Sequence, residues 1–270
     1  NSAGLAEPPK TWEEFNKAAE KLTKRDKEGN IIQAGAALGT ARNINRSTDI
    51  LAALMIQSGS KMVDNDKSSV VFNQSIGLSS GERINPGERA LLYYCSFADP
   101  QKRVYSWNDS QHYSLDSFVE GRVAMMFNYA YQIFQLRARA PHLNFAVAEF
   151  PQISENSKKI TLANYWGLAV GKNSVNQTAA WQFLAWFIQP DNFKNYLTLT
   201  RKPTSRRDLV AWQQNDKDLG IFAVQSLTAR SWWQADNTAV EKILADAIDN
   251  VVSGKQTAFQ AIDEAAKKIT

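Results

Sequence analysis

The residues with the most evident chemistry are aromatic rings set beside amides and guanidiniums: Asn128-Tyr129-Ala130-Tyr131, Asn164-Tyr165-Trp166 and Arg230-Ser231-Trp232-Trp233. A ring face can lie against the C–H face of a flat ligand such as a pyranose, while neighbouring polar groups fix its hydroxyls. Trp232 and Trp233 fall in a loop between helical stretches, and Trp166 opens a candidate strand. Loop aromatics have less packing to account for them, yet from the residues alone packing and ligand contact stay equally open for each. A second set occupies the polar loop Thr40-Ala-Arg-Asn-Ile-Asn-Arg46. It follows an apolar, strand-like run and precedes a helix, which is where open α/β sheets hold ligands. Asn43, Asn45 and Arg46 are the candidate hydrogen-bonding groups there. Asn128 qualifies for the same topological reason, at the end of the apolar run 123–127.

Positioning these groups requires alternating helices and strands. Thr11-Trp-Glu-Glu14 reads as a capping box after Pro8-Pro9, with Trp12, Phe15, Ala19 and Leu22 on one face of a helix over 11–24. Residues 31–38 read as a buried strand, 47–58 as a helix stopped by Gly59, and a further helix starts near Glu88 between the loop-rich stretches 61–87 and 100–112. A short helix ends at Gly121, before a strand at 123–127 expected to be buried on both faces. Strands are also expected at 143–150 and 165–170, with the polar segment 154–159 as a crossing between lobes. Residues 177–188 form a strongly apolar helix ended by Pro190, and Asp191 is expected to cap the next, through about Leu199. Trp12, Trp181 and Trp186 are assigned to packing. The last third is helical: about 208–215, then 238–252 stopped by Gly254, then a helix capped by Thr257 with Ile262, Ala265, Ala266 and Ile269 facing inward.

Composition narrows the function. With 44% hydrophobic and 21% charged residues, the chain can bury a core in one or two domains. No apolar run reaches the roughly 18 residues a membrane span needs. The chain opens Asn1-Ser2 without a basic and apolar leader, so any targeting segment is expected to have been removed or to lie upstream. A single cysteine, Cys95, excludes an internal disulfide framework and cysteine-rich metal sites; its apolar surroundings predict a buried thiol. No cofactor and no metal is expected. A net charge of +4, with its densest cluster at Arg201, Lys202, Arg206 and Arg207, gives no basic face interleaved with stacking aromatics, and nucleic acid is not an expected partner.

In order along the chain, Pro8-Pro-Lys-Thr-Trp-Glu-Glu14, Phe118-Val-Glu-Gly-Arg-Val-Ala-Met-Met126, Trp166-Gly-Leu-Ala-Val-Gly-Lys-Asn173 with Ala180-Trp-Gln-Phe-Leu184, and Ser253-Gly-Lys-Gln-Thr257 resemble the family 1 extracellular solute-binding proteins, the group that includes maltodextrin-binding protein. The resemblance implies an α/β, two-lobed periplasmic-binding-protein-like fold of type II. Family members carry a long stretch before the Pro-Pro segment, so one lobe nearly complete plus part of the other is expected here. Residues 1–155 would form the main part of the second lobe, 156–204 the return into the first, and 205–270 the helical segment closing the second. The implied function is capture of a small molecule, foremost a sugar, by a monomer in the periplasm or lipid-anchored at the cell surface, for delivery to the membrane subunits of an ABC permease. The implied cleft residues are Tyr129, Tyr131, Trp166, Trp232 and Trp233.

Two rivals come from other classes. A glycosidase would share an aromatic cleft but needs two carboxylates about 5 to 10 Å apart; Glu149 and Asp109 are the only candidates, and nothing in the sequence pairs them. His112 and His142, without a Gly-x-Ser-x-Gly elbow, give no support to a serine hydrolase. A helical adaptor would use the amphipathic C-terminal helices to bind a partner through an apolar patch.

Overall fold

The computed structural model describes Leu5 and residues 7–270; the opening Asn1-Ser2 lies outside the described residues. The chain begins with helix α1 (Trp12–Leu22), strands β1 (Lys24–Arg25) and β2 (Ile31–Ala36), and helix α2 (Ser47–Gln57). A small hairpin, β3 (Ile76–Gly77) and β4 (Arg83–Ile84), leads to α3 (Pro86–Cys95), α4 (Ser114–Val119), β5 (Val123–Met125) and α5 (Gln132–Arg139). Then come β6 (Thr161–Leu162), α6 (Gln177–Phe187), α7 (Pro190–Thr200), α8 (Val210–Gln213), α9 (Gly220–Gln225), β7 (Ala229–Arg230), α10 (Asn237–Val252) and α11 (Ala258–Ile269).

The helices start where their chemistry says they should. Thr11 Oγ1 accepts from the Glu14 amide at 3.2 Å and Glu14 returns the bond to the Thr11 amide at 3.3 Å, a reciprocal cap that also recurs at Thr257 with Gln260. Such caps satisfy amides that have no partner inside the helix. Asp191 does not cap α7: Gln189 holds that position without a side-chain bond, and Pro190 takes the first helical place, where its missing N–H costs nothing.

A three-stranded sheet, β1-β2-β5, holds the centre. β1 is antiparallel to β2, and β5 runs parallel to β2 with Ala34 opposite Val123 and Ala36 opposite Met125. The expectation that 123–127 is buried on both faces does not hold: β5 is an edge strand of three residues, and Ala124 between buried Val123 and half-buried Met125 is exposed. Residues 143–150 and 165–170 form no strand. Apolar content alone does not make a strand, which needs a neighbouring edge to complete its backbone bonds.

Trp12 anchors the core beside the sheet. Its ring meets Phe15, Tyr93, Phe127 and Phe150 at centroid distances of 5.4 to 5.6 Å, the edge-on and tilted geometries aromatic pairs prefer. The α10–α11 hairpin packs over α2 and α3, with Ile262, Ala265 and Ala266 buried as the pattern predicted. α2 is apolar almost all round and buried from Ser47 through Met55, apart from Asp49. Cys95 is buried as expected.

The stretch 165–188 departs most from expectation. No residue of α6 is buried; Trp181 and Trp186, assigned to packing, are 59% and 58% exposed. α6 packs against α7, through Phe187 against Phe193 and Tyr196 at 5.6 and 5.0 Å. An apolar helix is normally buried, and among the described residues α7 covers this one only in part.

Candidate functional site

The loop 39–46 is fixed from both ends. Gly39 adopts φ of 121°, and a Cβ there would lie 2.6 Å from the Ala98 amide nitrogen, so only glycine fits. Tyr94, wholly buried, donates its hydroxyl to the Thr40 carbonyl at 2.9 Å. Asn43 then knots the loop to its neighbours. Its Oδ1 accepts from Thr40 Oγ1 and from the Trp107 indole at 3.1 Å, and its Nδ2 donates to the Asn108 and Gln111 carbonyls at 2.9 and 3.0 Å. Both of its amide hydrogens and its oxygen are thereby taken up within the protein. The Asn45 amide donates to Ser114 Oγ at 2.9 Å, while no hydrogen bond holds its half-buried side chain. Arg42 ties the loop to α10 through Asp246 and Asp249.

Arg46 is the turning point into α2. Its φ of 63° lies in the left-handed region, an uncommon place for a side chain of its size, which the surroundings must hold. The holding group is Asp49, in the first turn of α2. Arg46 Nε donates to Asp49 Oδ2 at 2.7 Å, and Nη2 donates to the same oxygen. Tyr129 donates its hydroxyl to that oxygen as well, at 2.7 Å, and the Arg46 guanidinium lies over the Tyr129 ring, 5.4 Å from its centroid. Tyr131 stacks on Tyr129 at 6.4 Å and an interplanar angle of 22°.

Electrostatics bind the group together. Burial pulls the Arg46 guanidinium down, but Asp49, Tyr129 and Glu241 of α10 outweigh it, and its pKa is raised. Burial first, then the Asp49 carboxylate, drives the Tyr129 hydroxyl far above the usual phenol range. Tyr113 is raised by burial, then by the charges of Tyr131 and Glu241. Beside the tyrosine pair in the chain, Asn128 Oδ1 accepts from the Tyr129 amide at 2.9 Å, while its Nδ2 is buried without a partner.

The structure thus brings together Arg46, Tyr129 and Tyr131, with Asn128 next to them. The three tryptophans form a separate group. β6 and β7 run parallel, Ala163 donates to the Arg230 carbonyl at 2.8 Å, and the Tyr165 and Ser231 hydroxyls lie 3.4 Å apart. This sets Trp166 near the Trp232-Trp233 loop. Trp166 is 94% exposed and Trp233 is exposed, whereas Trp232 packs its edge on Phe72 at 6.3 Å. Among the described residues no recorded contact joins these indoles to Arg46. Sequence reasoning missed Asp49, Tyr113 and Glu241. Asp49 had a signal, since it is a carboxylate in the first turn of a helix, three residues after the arginine that leads into it; the other two had none. The described residues contain no cluster of three or more histidine, cysteine or acidic side chains able to hold a metal, and no helix long and apolar enough to cross a membrane.

Residues 1–220 match the family model described as bacterial extracellular solute-binding protein. The chain belongs to this family. Its place is therefore extracytoplasmic, and its fold is the type II solute-binding fold seen in solved structures. An ABC transporter solute-binding protein from Thermotoga lettingae TMO, bound with α-D-tagatose, superposes with a TM-score of 0.71 at 22% identity, over 99% of this chain and 66% of that one. The sugar-binding protein MalE from Xanthomonas citri gives 0.78 at 15% identity, over 99% and 64%. The maltose/maltodextrin-binding domain MalE from Bdellovibrio bacteriovorus, bound to maltotriose, gives 0.68 at 17%, over 100% and 68%. The solute-binding chain thus spans about two-thirds of the length of these structures. No curated protein matches its sequence.

Proposed function

We propose that this solute-binding protein is the substrate-binding component of an ABC importer, capturing a sugar or oligosaccharide between two lobes and delivering it to a membrane permease. The observation that carries this reading is the stacked Tyr129–Tyr131 pair beside Arg46, Asp49 and the unpartnered Asn128 amide. Ring faces suit the C–H face of a sugar, and carboxylate, guanidinium and amide suit its hydroxyls. The tagatose and maltotriose in the named relatives point the same way. Trp166, Trp232, Trp233 and Asn45 are proposed as further ligand contacts, and Asn43 as the buttress of the loop.

The lobes are proposed as 1–155 with 205–270, and 156–204 as the return into the other. Their junction is supported by a polar knot: Gln57, which accepts from the Trp12 indole at 2.7 Å, donates to the Pro151 and Ile160 carbonyls at 3.0 and 2.8 Å. Gln152 exchanges backbone bonds with Lys10 and Trp12 and accepts from the Ile160 amide at 2.8 Å. Segments 10–12, 150–152 and 160 thus meet at one place, as crossings between lobes would. Ligand touching both lobes then shifts the population from open to closed.

The test is calorimetric titration with D-tagatose, maltotriose, maltotetraose and mannobiose, repeated with Tyr131→Ala and Trp232→Ala. Saturable binding, weakened at least about tenfold by Tyr131→Ala, is expected; silence across the panel refutes the sugar reading.

A further inference from the structure

The Asp49 carboxylate has an asymmetry that the sugar reading does not by itself explain. Its Oδ2 receives three donors, two from Arg46 and one from Tyr129, while among the described residues no hydrogen bond reaches Oδ1. The side chains of Arg46 and Asp49 are only 26% and 24% exposed, so the pair is screened less than a surface one. Arg46 is the group that would otherwise seize an anion, because a guanidinium fork matches carboxylate and phosphate in a bidentate way. Here two of its nitrogens are already spent on Asp49. Glu241 adds a second negative charge close enough to act on both Arg46 and Tyr113.

We propose that Asp49 is a specificity-determining residue: by occupying Arg46 and presenting Oδ1 as a free acceptor, it admits neutral, hydroxyl-bearing ligands and rejects sugar acids and sugar phosphates. The inference rests on the sugar-binding reading above. An incoming hydroxyl donates to Oδ1 at no electrostatic cost. An incoming carboxylate or phosphate meets Oδ1 at like charge, and must share the guanidinium with Asp49, whose Oδ2 already takes Nε and Nη2.

The experiment is calorimetric titration of the full chain with the neutral sugars above and with glucuronate, galacturonate and glucose 6-phosphate. Wild type is expected to bind its best neutral ligand at least about tenfold tighter than any anionic one, a difference of about 1.4 kcal/mol. Asp49→Asn frees the fork and should narrow or invert that ratio by about tenfold or more, and Arg46→Gln with Asp49→Asn should cancel the gained anion affinity. Arg46→Gln alone leaves the carboxylate uncompensated and should widen the ratio, which keeps the idea open to refutation even if Asp49→Asn does not fold. Anion binding by wild type as tight as neutral binding, or a ratio unmoved in folded variants, overturns the filter alone. Silence toward every neutral sugar brings down the sugar reading, and the filter with it.

Discussion

Replacing Asn43 by alanine should cost stability because of what its side chain leaves behind. Two donors lose their acceptor, the Trp107 indole N–H and the Thr40 hydroxyl, and both residues are essentially sealed from water. An orphaned buried donor costs about 1 to 3 kcal/mol. The Asn108 and Gln111 carbonyls also lose their partner, but both residues are only half-buried and water can replace the amide. The expected loss is therefore about 2 to 6 kcal/mol, a large share of the roughly 5 to 15 kcal/mol that holds a typical protein folded. Urea unfolding followed by far-UV circular dichroism should show the midpoint falling at unchanged slope. The thermal midpoint should drop by about 5 to 15 °C. A midpoint within about 0.5 kcal/mol of wild type would refute the claim that this amide holds the loop. So would a stability left intact while ligand affinity collapses, which is the signature of a direct ligand contact.

Three further outcomes follow from the same geometry. The uncovered apolar surface of α6 should bind an anilinonaphthalene dye in the folded chain, and Trp181→Ser with Trp186→Ser should remove most of that fluorescence without moving the urea midpoint. Cys95, buried and with its thiol pushed up to about 12 chiefly by burial, should resist a disulfide reagent at pH 8 and react at once in denaturant. Thr257→Ala removes the oxygen that accepts from the Gln260 amide and should cost about 1 kcal/mol in thermal unfolding.

Legibility in the sequence followed the range of the interaction. Caps at Thr11 and Thr257, the stop at Gly59 with φ of 91°, and the inward face of α11 are local devices, and each was readable from a few residues. Strands failed where they depended on a distant partner: 143–150 and 165–170 have the apolar content but form no strand. The helix α6 was readable as a helix and unreadable as to burial, because an apolar face records the need for a cover and not where that cover lies. At the site, Arg46, Tyr129 and Tyr131 came from loop placement and resemblance, and the structure brings them together. Asn43 was read as a ligand donor because amides in such loops often are; only the fold reveals that Trp107, 64 positions away, claims its oxygen.

The helix α2 links the two polar centres of the molecule. Its first turn carries Asp49, preceded by Arg46; its last residue is Gln57, which gathers the segments around Lys10, Pro151 and Ile160. Eleven helical residues span about 16 Å, and burial on nearly every side leaves this rod little freedom to bend or slide. Under the proposed reading, a ligand that pulls on Arg46 or Asp49 loads one end of a rigid body whose other end is fastened to the lobe crossings. Such a body does not deform gradually, so strain at the tyrosine pair is expected to reach the crossings as a rotation of the whole helix. The hydrogen bonds of Gln57, two to backbone carbonyls and one from Trp12, are the contacts that rotation must rearrange.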